Sequence, residues 1–158
     1  MRRTNEEVAI GMLKVTSLGH DRFVIDIRGF GVEVDQPLSA GGTDTGPTPT
    51  ELFVSSLASC VAFYARRFLH RHKIGNEHLV VTSRFEMSDT PPARVALIDM
   101  DVAIGAKLSE RQLQVLKKVV DACAVHNSIR QPPVGQIRLA QGVDELEPQH
   151  AVNLLAAG

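Results

Sequence analysis

The sequence is organised around residues 41–75, which read GGTDTGPTPTELFVSSLASCVAFYARRFLHRHKIG. A Gly/Thr/Pro loop leads into residues 48–51 (TPTE), a capping box with proline at the first helical position. After a basic last turn, Gly75 supplies a stop signal. Between these signals apolar groups cover most of the circumference, at Leu52, Phe53, Leu57, Cys60, Val61, Phe63, Tyr64 and Phe68. The stretch therefore predicts a buried central helix that carries a thiol.

Short strands precede this helix. The pattern predicts strands at residues 7–16, 22–27 and 31–35, and the turns between them contain glycine. Three short strands with tight turns form an antiparallel meander. Residues 36–48 are predicted to be loop because of their composition.

Two further strands and a second helix are predicted after the central helix. Residues 78–87 are rich in β-branched and aromatic side chains, and residues 93–104 have apolar residues mainly on one parity, and both patterns are typical of strands. Ser109 begins the second helix, with Gln112 at the capping-box position. Apolar residues then recur at helical spacing, and this apolar face is predicted to carry Cys123.

The end of the chain has weaker signals. Residues 135–141 are predicted to form a last strand, and residues 142–158 form a weakly patterned tail. The order βββ-α-ββ-α-β belongs to the α+β class. With 158 residues the chain is expected to form a single domain over 1–158, with its core at about 7–141.

Composition excludes several classes of function. The chain is 44% apolar and 22% charged, with a net charge of -1, 4% aromatic residues and no tryptophan, so nothing favours nucleic acid. We also expect no membrane partner, because no signal peptide is present and no segment approaches a membrane span. Two cysteines 63 positions apart without a secretory signal predict a cytoplasmic protein with reduced thiols.

Either cysteine alone fits a small core residue, since free cysteine is among the most buried residue types. A thiol that attacks peroxide must instead be a thiolate, and a free cysteine with a pKa of about 8.5 is only slightly ionised at neutral pH. Cys60 lies some ten residues past the helix start, where the helix dipole has faded. It would need a guanidinium from elsewhere, for which Arg22 is the first choice and Arg28 the second.

The run GGTDTGPTPTELFVSSLASC, followed by ACAVHNSI, resembles the OsmC/Ohr family of thiol-dependent peroxidases, especially its OsmC-like branch. The loop and helix of that branch read roughly G-P-x-P-x-E-L-L…A-x-x-x-C, and its second cysteine lies in a C-P-V-H-type turn. The resemblance covers roughly residues 10–140. It implies curved antiparallel sheets around two central cysteine-bearing helices, in an intertwined homodimer with active sites at the subunit interface.

The resemblance also implies a reaction. Cys60 would attack the distal oxygen of an organic hydroperoxide, which gives an alcohol and a sulfenic acid, and Cys123 would resolve that acid to a disulfide. A dithiol reductant, which in this family is a lipoyl group, would then reduce the disulfide by exchange. No metal or organic cofactor is required.

Two departures from the family pattern concern the site. In the peroxidases a glutamate directly follows the loop proline and holds an activating arginine, whereas here Thr50 has that position and Glu51 comes next. Glu51 and Cys60 differ by about 900° on an ideal helix and so lie on opposite faces, which leaves Glu51 either catalytic or only a cap. Ala124 replaces the usual proline after the second cysteine. His126 is a candidate for proton transfer, with a surface or capping role as the alternative.

Two other functions stay open. A metal site fits by ligand type but has no C-x-x-C or H-x-x-x-H spacing, and its candidates are Cys60, Cys123, His126, His70 and His72. The other alternative is an OsmC-like dimeric binding or structural module with weak or no peroxidase activity. The displaced glutamate favours the module, whereas the presence of both cysteines favours the enzyme.

Overall fold

A computed structural model of the chain describes residues 11–75 and 78–142. The α-helices and strands are, in order, β1 (Lys14–Gly19), β2 (Arg22–Ile27), β3 (Phe30–Val34), α1 (Pro49–Arg71), β4 (Leu79–Met87), β5 (Val95–Ile104), α2 (Glu110–Asp121) and α3 (Ala124–Arg130), and a single 3₁₀ turn, Leu38–Ala40, interrupts the predicted loop before α1. The predicted α+β class is confirmed, and so is the order of elements from β1 to α2.

The first sheet is the predicted meander, in the order β1-β2-β3. Val15 pairs with Ile25, and Ile25 pairs with Val32, so the central strand β2 contacts both neighbours. Because side chains alternate along a strand, one face of this sheet is apolar. We call it the meander face, and it comprises Val15, Phe23, Ile25, Ile27, Phe30, Val32 and Val34.

The meander face is only partly covered by its own chain, since Val34 is buried but the residues toward the other end of the sheet are not. Among the described elements, β1–β3 make only slight contact with the helices and with the second sheet. As a result Phe30 is 67% exposed, and Val15 and Phe23 are also exposed. An apolar surface of this kind is unusual for a chain that acts alone.

The core lies between α1 and the hairpin of β4 and β5, which pair antiparallel with Val81 opposite Val102. The long helix packs mainly on β4 and α2, and less on α3 and β5. Its buried residues recur at helical spacing and are Val54, Leu57, Val61, Ala65, Phe68 and Leu69. All but Val54 belong to one of two clusters, the first around Leu69 and Leu116 and the second around Leu57, Val61 and Cys123.

Both predicted capping boxes are present. Thr48 Oγ1 accepts the amide N–H of Glu51 at 3.2 Å, and Glu51 Oε2 accepts the amide of Thr48 at 2.7 Å. Ser109 and Gln112 repeat this exchange at the start of α2. The predicted end of the helix at Gly75 is less accurate, because α1 ends four residues earlier, at Arg71.

The prediction that α1 is buried on nearly all sides is wrong within this chain. Phe53 and Phe63 are 44% and 54% exposed, and Ser55, Ser56 and Ser59 are exposed as well. The reason is that the hairpin, α2 and α3 together cover only part of the helix circumference. By length and composition alone α1 could span a bilayer, contrary to the sequence expectation, but the buried core helices of soluble proteins pass the same test.

Two strand predictions also need correction. The first strand was expected at residues 7–16, of which 7–10 lie outside the described residues, and β1 runs from Lys14 to Gly19 because its pairing with β2 continues to the tight turn between them. The expected strand at 135–141 does not form, since no described strand lies beside it to share hydrogen bonds. Its two large apolar side chains, Ile137 and Leu139, are 92% and 97% exposed. Residues 143–158, nearly all of the predicted tail, lie outside the described residues.

Candidate active site

Two thiols meet where α1 approaches α3. Cys60 is partly buried and packs against the cluster formed by Leu57, Val61 and Cys123. Cys123 is completely buried, with 0% exposure. Both cysteines are free. The structure therefore brings together the two cysteines that the sequence singled out, as adjacent thiols and not as a disulfide.

Cys123 does not lie on the apolar face of α2, where the sequence pattern placed it. That helix ends at Asp121, and Cys123 has extended backbone angles (φ −68°, ψ 148°) as the N-cap of α3. Its Sγ accepts the amide N–H of His126 at 3.4 Å. A thiol in this position satisfies one of the free amides at the start of α3.

The environment of Cys123 favours the protonated thiol. Burial raises the pKa of Cys123, the amide N–H of His126 opposes this, and the neighbouring Cys60 thiol raises the pKa further. The net shift is upward. Because only the thiolate is a good nucleophile, Cys123 needs help to lose its proton.

Two apolar cavities flank the cysteine cluster. The larger, of about 400 Å³, lies between β5, α1 and α2, and its polar lining residues are Lys117, Asp121 and His126. The smaller, of about 220 Å³, lies along Phe53, β5 and α3. Leu57, Ile98 and His126 line both cavities. His126 therefore stands between two apolar spaces beside the cysteine pair.

Arg22 is engaged away from the thiols. Its Nε and Nη2 atoms donate to Glu33 Oε1 at 2.9 and 2.6 Å, and the same oxygen accepts the hydroxyl of Thr45 at 2.9 Å. Arg22 and Thr45 lower the pKa of Glu33. The guanidinium of Arg28 lies 5.8 Å from the ring centre of Phe30. In the described part of the chain no arginine is hydrogen-bonded to either cysteine.

A second acid, Asp35, fixes the loop that enters α1. Its carboxylate is fully buried and accepts the hydroxyl of Thr43 at 2.6 Å, with further bonds from the amides of Thr43, Thr45 and Gln36. These bonds, that of the Thr43 hydroxyl first, hold the pKa of Asp35 far below its usual range. The amide of Asp35 also donates to the carbonyl of Pro47 at 3.3 Å, which closes the loop.

The sequence analysis overlooked both acids, although a signal for Glu33 was present. Val24 pairs with Glu33, and Arg22 is two residues before Val24 on the same face of the sheet. Arg22 and Glu33 are therefore diagonal neighbours, close enough for long side chains to meet. The role of Asp35 depends on the folded loop and has no such local signal.

Glu51 acts as a helix cap in this structure. Its Oε2 atom accepts both the amide and the hydroxyl of Thr48, and these bonds lower the pKa of Glu51. Glu51 lies in the first turn of α1, and about 13 Å along the helix axis separates it from Cys60. Among the residues described, its carboxylate has no other hydrogen-bond partner. A catalytic role for Glu51 stays a prediction.

The metal alternative gains no support from the geometry. His70 and His72 lie at the far end of α1 from the capping box, about 15 Å along the helix from Cys60. The Nδ1 atom of His72 is 2.9 Å from the carbonyl oxygen of Phe68. Within residues 11–75 and 78–142, no group of three or more His, Cys, Asp or Glu side chains is placed to hold a metal ion.

Comparison with known families connects this geometry to one of them. Residues 42–138, which include both cysteines and His126, match the profile of the family described as OsmC-like protein. The chain belongs to the OsmC-like family. The resemblance inferred from the loop, the helix and the second cysteine is thereby confirmed. No functionally curated protein matches the chain significantly.

Solved structures of OsmC-like proteins have the same fold. A protein from Psychrobacter arcticus, named for osmotic stress and detoxification, is 22% identical, with a TM-score of 0.69 over 77% of this chain and 90% of its own. An organic hydroperoxide resistance protein OsmC from Legionella pneumophila is 21% identical, with a TM-score of 0.61 over 79% and 92%. An OsmC-like protein from Mycoplasma pneumoniae is 19% identical, with a TM-score of 0.67 over 79% and 90%. At these identities the similarity establishes the fold.

Proposed function

We propose that this OsmC-like protein is a thiol-dependent peroxidase that reduces organic hydroperoxides to alcohols. The observation that carries the proposal is the contact between the partly exposed Cys60 and the buried Cys123. One accessible thiol beside one enclosed thiol is the arrangement that a peroxidatic and a resolving cysteine require. Membership of the family supports the same reaction.

The reaction proceeds in three balanced steps. The Cys60 thiolate attacks the distal peroxide oxygen, the O–O bond breaks, and a sulfenic acid and an alcohol form after protonation of the alkoxide. Cys123 then attacks the Cys60 sulfur, the S–O bond breaks, and water leaves as the disulfide forms. A dithiol reductant, for which a lipoyl-bearing protein is our first candidate, restores both thiols by exchange. The cycle needs no metal or organic cofactor.

Organic hydroperoxides are the proposed substrate class because apolar residues packed around the cysteine pair also line two apolar cavities. The cavities on either side of His126 have predominantly aliphatic walls, which would hold an alkyl group and gain little from hydrogen peroxide. The name of the Legionella relative, an organic hydroperoxide resistance protein, agrees with this choice. Equal rates with alkyl and hydrogen peroxide would contradict it.

We propose a homodimer as the active form. The partly covered meander face, the exposed side of α1 and the unpaired segment 135–141 all support a second copy as the missing partner. In such a dimer, Arg22 of one copy could approach Cys60 of the other, with Glu33 to hold the guanidinium. Arg22 stays our candidate for activation of Cys60, and Glu51 supports the start of α1. We also propose a cytoplasmic location, where reductants keep both thiols free.

The decisive experiment is an intact-mass measurement and a free-thiol count after one equivalent of cumene hydroperoxide. The wild type is expected to lose both thiols and two hydrogen masses, as a disulfide requires. A Cys123→Ser variant is expected to yield a sulfenic acid that dimedone traps on Cys60. A Cys60→Ser variant is the matched control and should leave Cys123 unmodified, because Cys123 is buried.

A second candidate function is an OsmC-like binding or structural module with slow cysteines. The cap geometry of Glu51 and the raised pKa of Cys123 favour it, because neither residue is set up to react unaided. Survival of both thiols for minutes in the experiment above would select this alternative. Loss of both thiols within seconds would exclude it.

A further inference from the structure

His126 occupies a position that the peroxidase cycle described so far does not use. It is the third residue of α3, and its amide donates to the Sγ atom of Cys123 at 3.4 Å. A side chain at this position can reach back to the N-cap residue, as the glutamate or glutamine of a capping box does. The imidazole thus belongs to the same helical turn as the Cys123 thiol.

His126 borders two cavities. It lines both apolar cavities, together with Leu57 and Ile98. Within the described ranges the imidazole ring of His126 makes no hydrogen bond, and its amide donates to Cys123. Its ring nitrogens are therefore available to a thiol, to water or to a small molecule in either cavity.

Few titratable groups surround this ring. From α1 the neighbours of the cysteine cluster are Cys60 and Tyr64, and from α2 the cavity receives Lys117 and Asp121. These two α2 residues carry opposite charges. From β5 only apolar side chains line the two cavities. His126 is thus the one residue lining both cavities whose side chain can accept a proton at one nitrogen and donate one from the other.

We propose that His126 transfers the proton in the step that closes the Cys60–Cys123 disulfide. A nitrogen of the imidazole takes the proton from the Cys123 thiol, and the thiolate attacks the sulfur of the Cys60 sulfenic acid. The S–O bond breaks as the S–S bond forms, and the imidazolium gives its proton to the leaving hydroxide, so that water departs. This inference rests on the proposed function, but its chemistry can be measured without any hydroperoxide.

Assistance is needed because Cys123 is enclosed. Its side chain is completely buried, and burial raises the pKa of the thiol. A buried thiol that keeps its proton reacts slowly, since thiol–disulfide exchange proceeds through the thiolate. An imidazole between two cavities provides both a base for this proton and a route by which the proton leaves.

The test loads Cys60 with a leaving group that needs no protonation. Dithiobis-nitrobenzoate should label Cys60 first, because Cys60 is partly exposed whereas Cys123 is buried. Cys123 then attacks the mixed disulfide on Cys60 and releases a second equivalent of the coloured thiolate, and the absorbance gives the rate of this release. We expect His126→Gln to slow this second release by about tenfold to a hundredfold at neutral pH. Added imidazole should restore much of the rate in His126→Ala.

The controls separate proton transfer from a structural role. His72→Gln, at the end of α1, should release the second thiolate at the wild-type rate, and Cys123→Ser should not release it at all. A wild-type release rate in His126→Gln, or no gain from imidazole in His126→Ala, would overturn the assignment. If hydroperoxides fail to oxidise Cys60 while His126 still governs this exchange, the peroxidase proposal fails and the role of His126 stands.

Discussion

The carboxylate of Asp35 accepts both the backbone amide and the hydroxyl of Thr43, at 3.0 and 2.6 Å, from a site with no solvent exposure. A buried anion that is fully hydrogen-bonded holds the segment between β3 and α1 in one conformation. This segment sets where α1 begins, and hence where Cys60 stands relative to the meander. Four predictions follow from this loop and from the surfaces around it.

Stability should fall in mild acid because of Asp35. Its folded-state pKa lies below its ordinary value of 3.8, so its contribution is present above that value and is lost as the pH falls through and below it. The urea concentration at the midpoint of unfolding should therefore stay nearly constant as the pH falls to about 5, and then decrease. Asp35→Asn should lower the midpoint at neutral pH and reduce its acid dependence. Asp21→Asn, on the exposed turn, is the control and should do neither.

Gly46 should tolerate no side chain. A Cβ atom there would lie 2.6 Å from the carbonyl oxygen of Glu33, and neither backbone can move away without breaking the loop. We expect Gly46→Ala to lower the free energy of unfolding by about 1–3 kcal/mol, as overpacked sites do. Gly135→Ala, where a Cβ would meet nothing within 4 Å, is the matched control. Equal stability of the two variants would show that the loop is looser than described.

Glu51 should matter for stability more than for chemistry. Glu51→Ala removes the acceptor of the Thr48 amide and should cost about 1 kcal/mol, whereas Glu51→Gln keeps the capping geometry and should cost less. Both variants should be oxidised by cumene hydroperoxide at rates within about twofold of the wild type. A large loss of rate in Glu51→Gln alone would mean that the negative charge, and not the cap, is what the site needs.

The meander face should be required for dimer formation. Phe30→Lys puts a charge on this face, and burial of an unpaired charge opposes association, so sedimentation should show a shift toward monomer. Thr16→Lys, on the opposite face of the same sheet, is matched in charge and should leave the assembly unchanged. If Phe30→Lys sediments as the wild type does, the meander face is not the interface.

Elements with local signals were predicted well from the sequence. The capping boxes at Thr48 and Ser109 form because each involves residues only three positions apart. The meander follows from alternation and glycine-containing turns, which also act over short distances. The family could be inferred for the same reason, since its motif is concentrated in the loop and helix before Cys60.

The failures concern features that depend on the rest of the fold. The apolar pattern of α2 continues past Asp121 without glycine or proline, so nothing local indicates that Cys123 begins another helix. A strand at 135–141 needs a neighbour that its own chain does not supply. The pairing of Arg22 with Glu33, and not with Glu51, was decided by the register of β2 and β3.

The Cys123 side chain makes two contacts: its Sγ atom accepts a hydrogen bond from the amide of His126, and it packs beside Cys60. A sulfur that bonds to Cys60 must turn toward α1, and the first turn of α3 then loses its acceptor. The oxidised protein would thus carry a frayed α3, whose amides exchange with solvent faster than in the reduced form. A partner that binds α3 only when this short helix is intact would therefore bind the reduced protein and not the oxidised one.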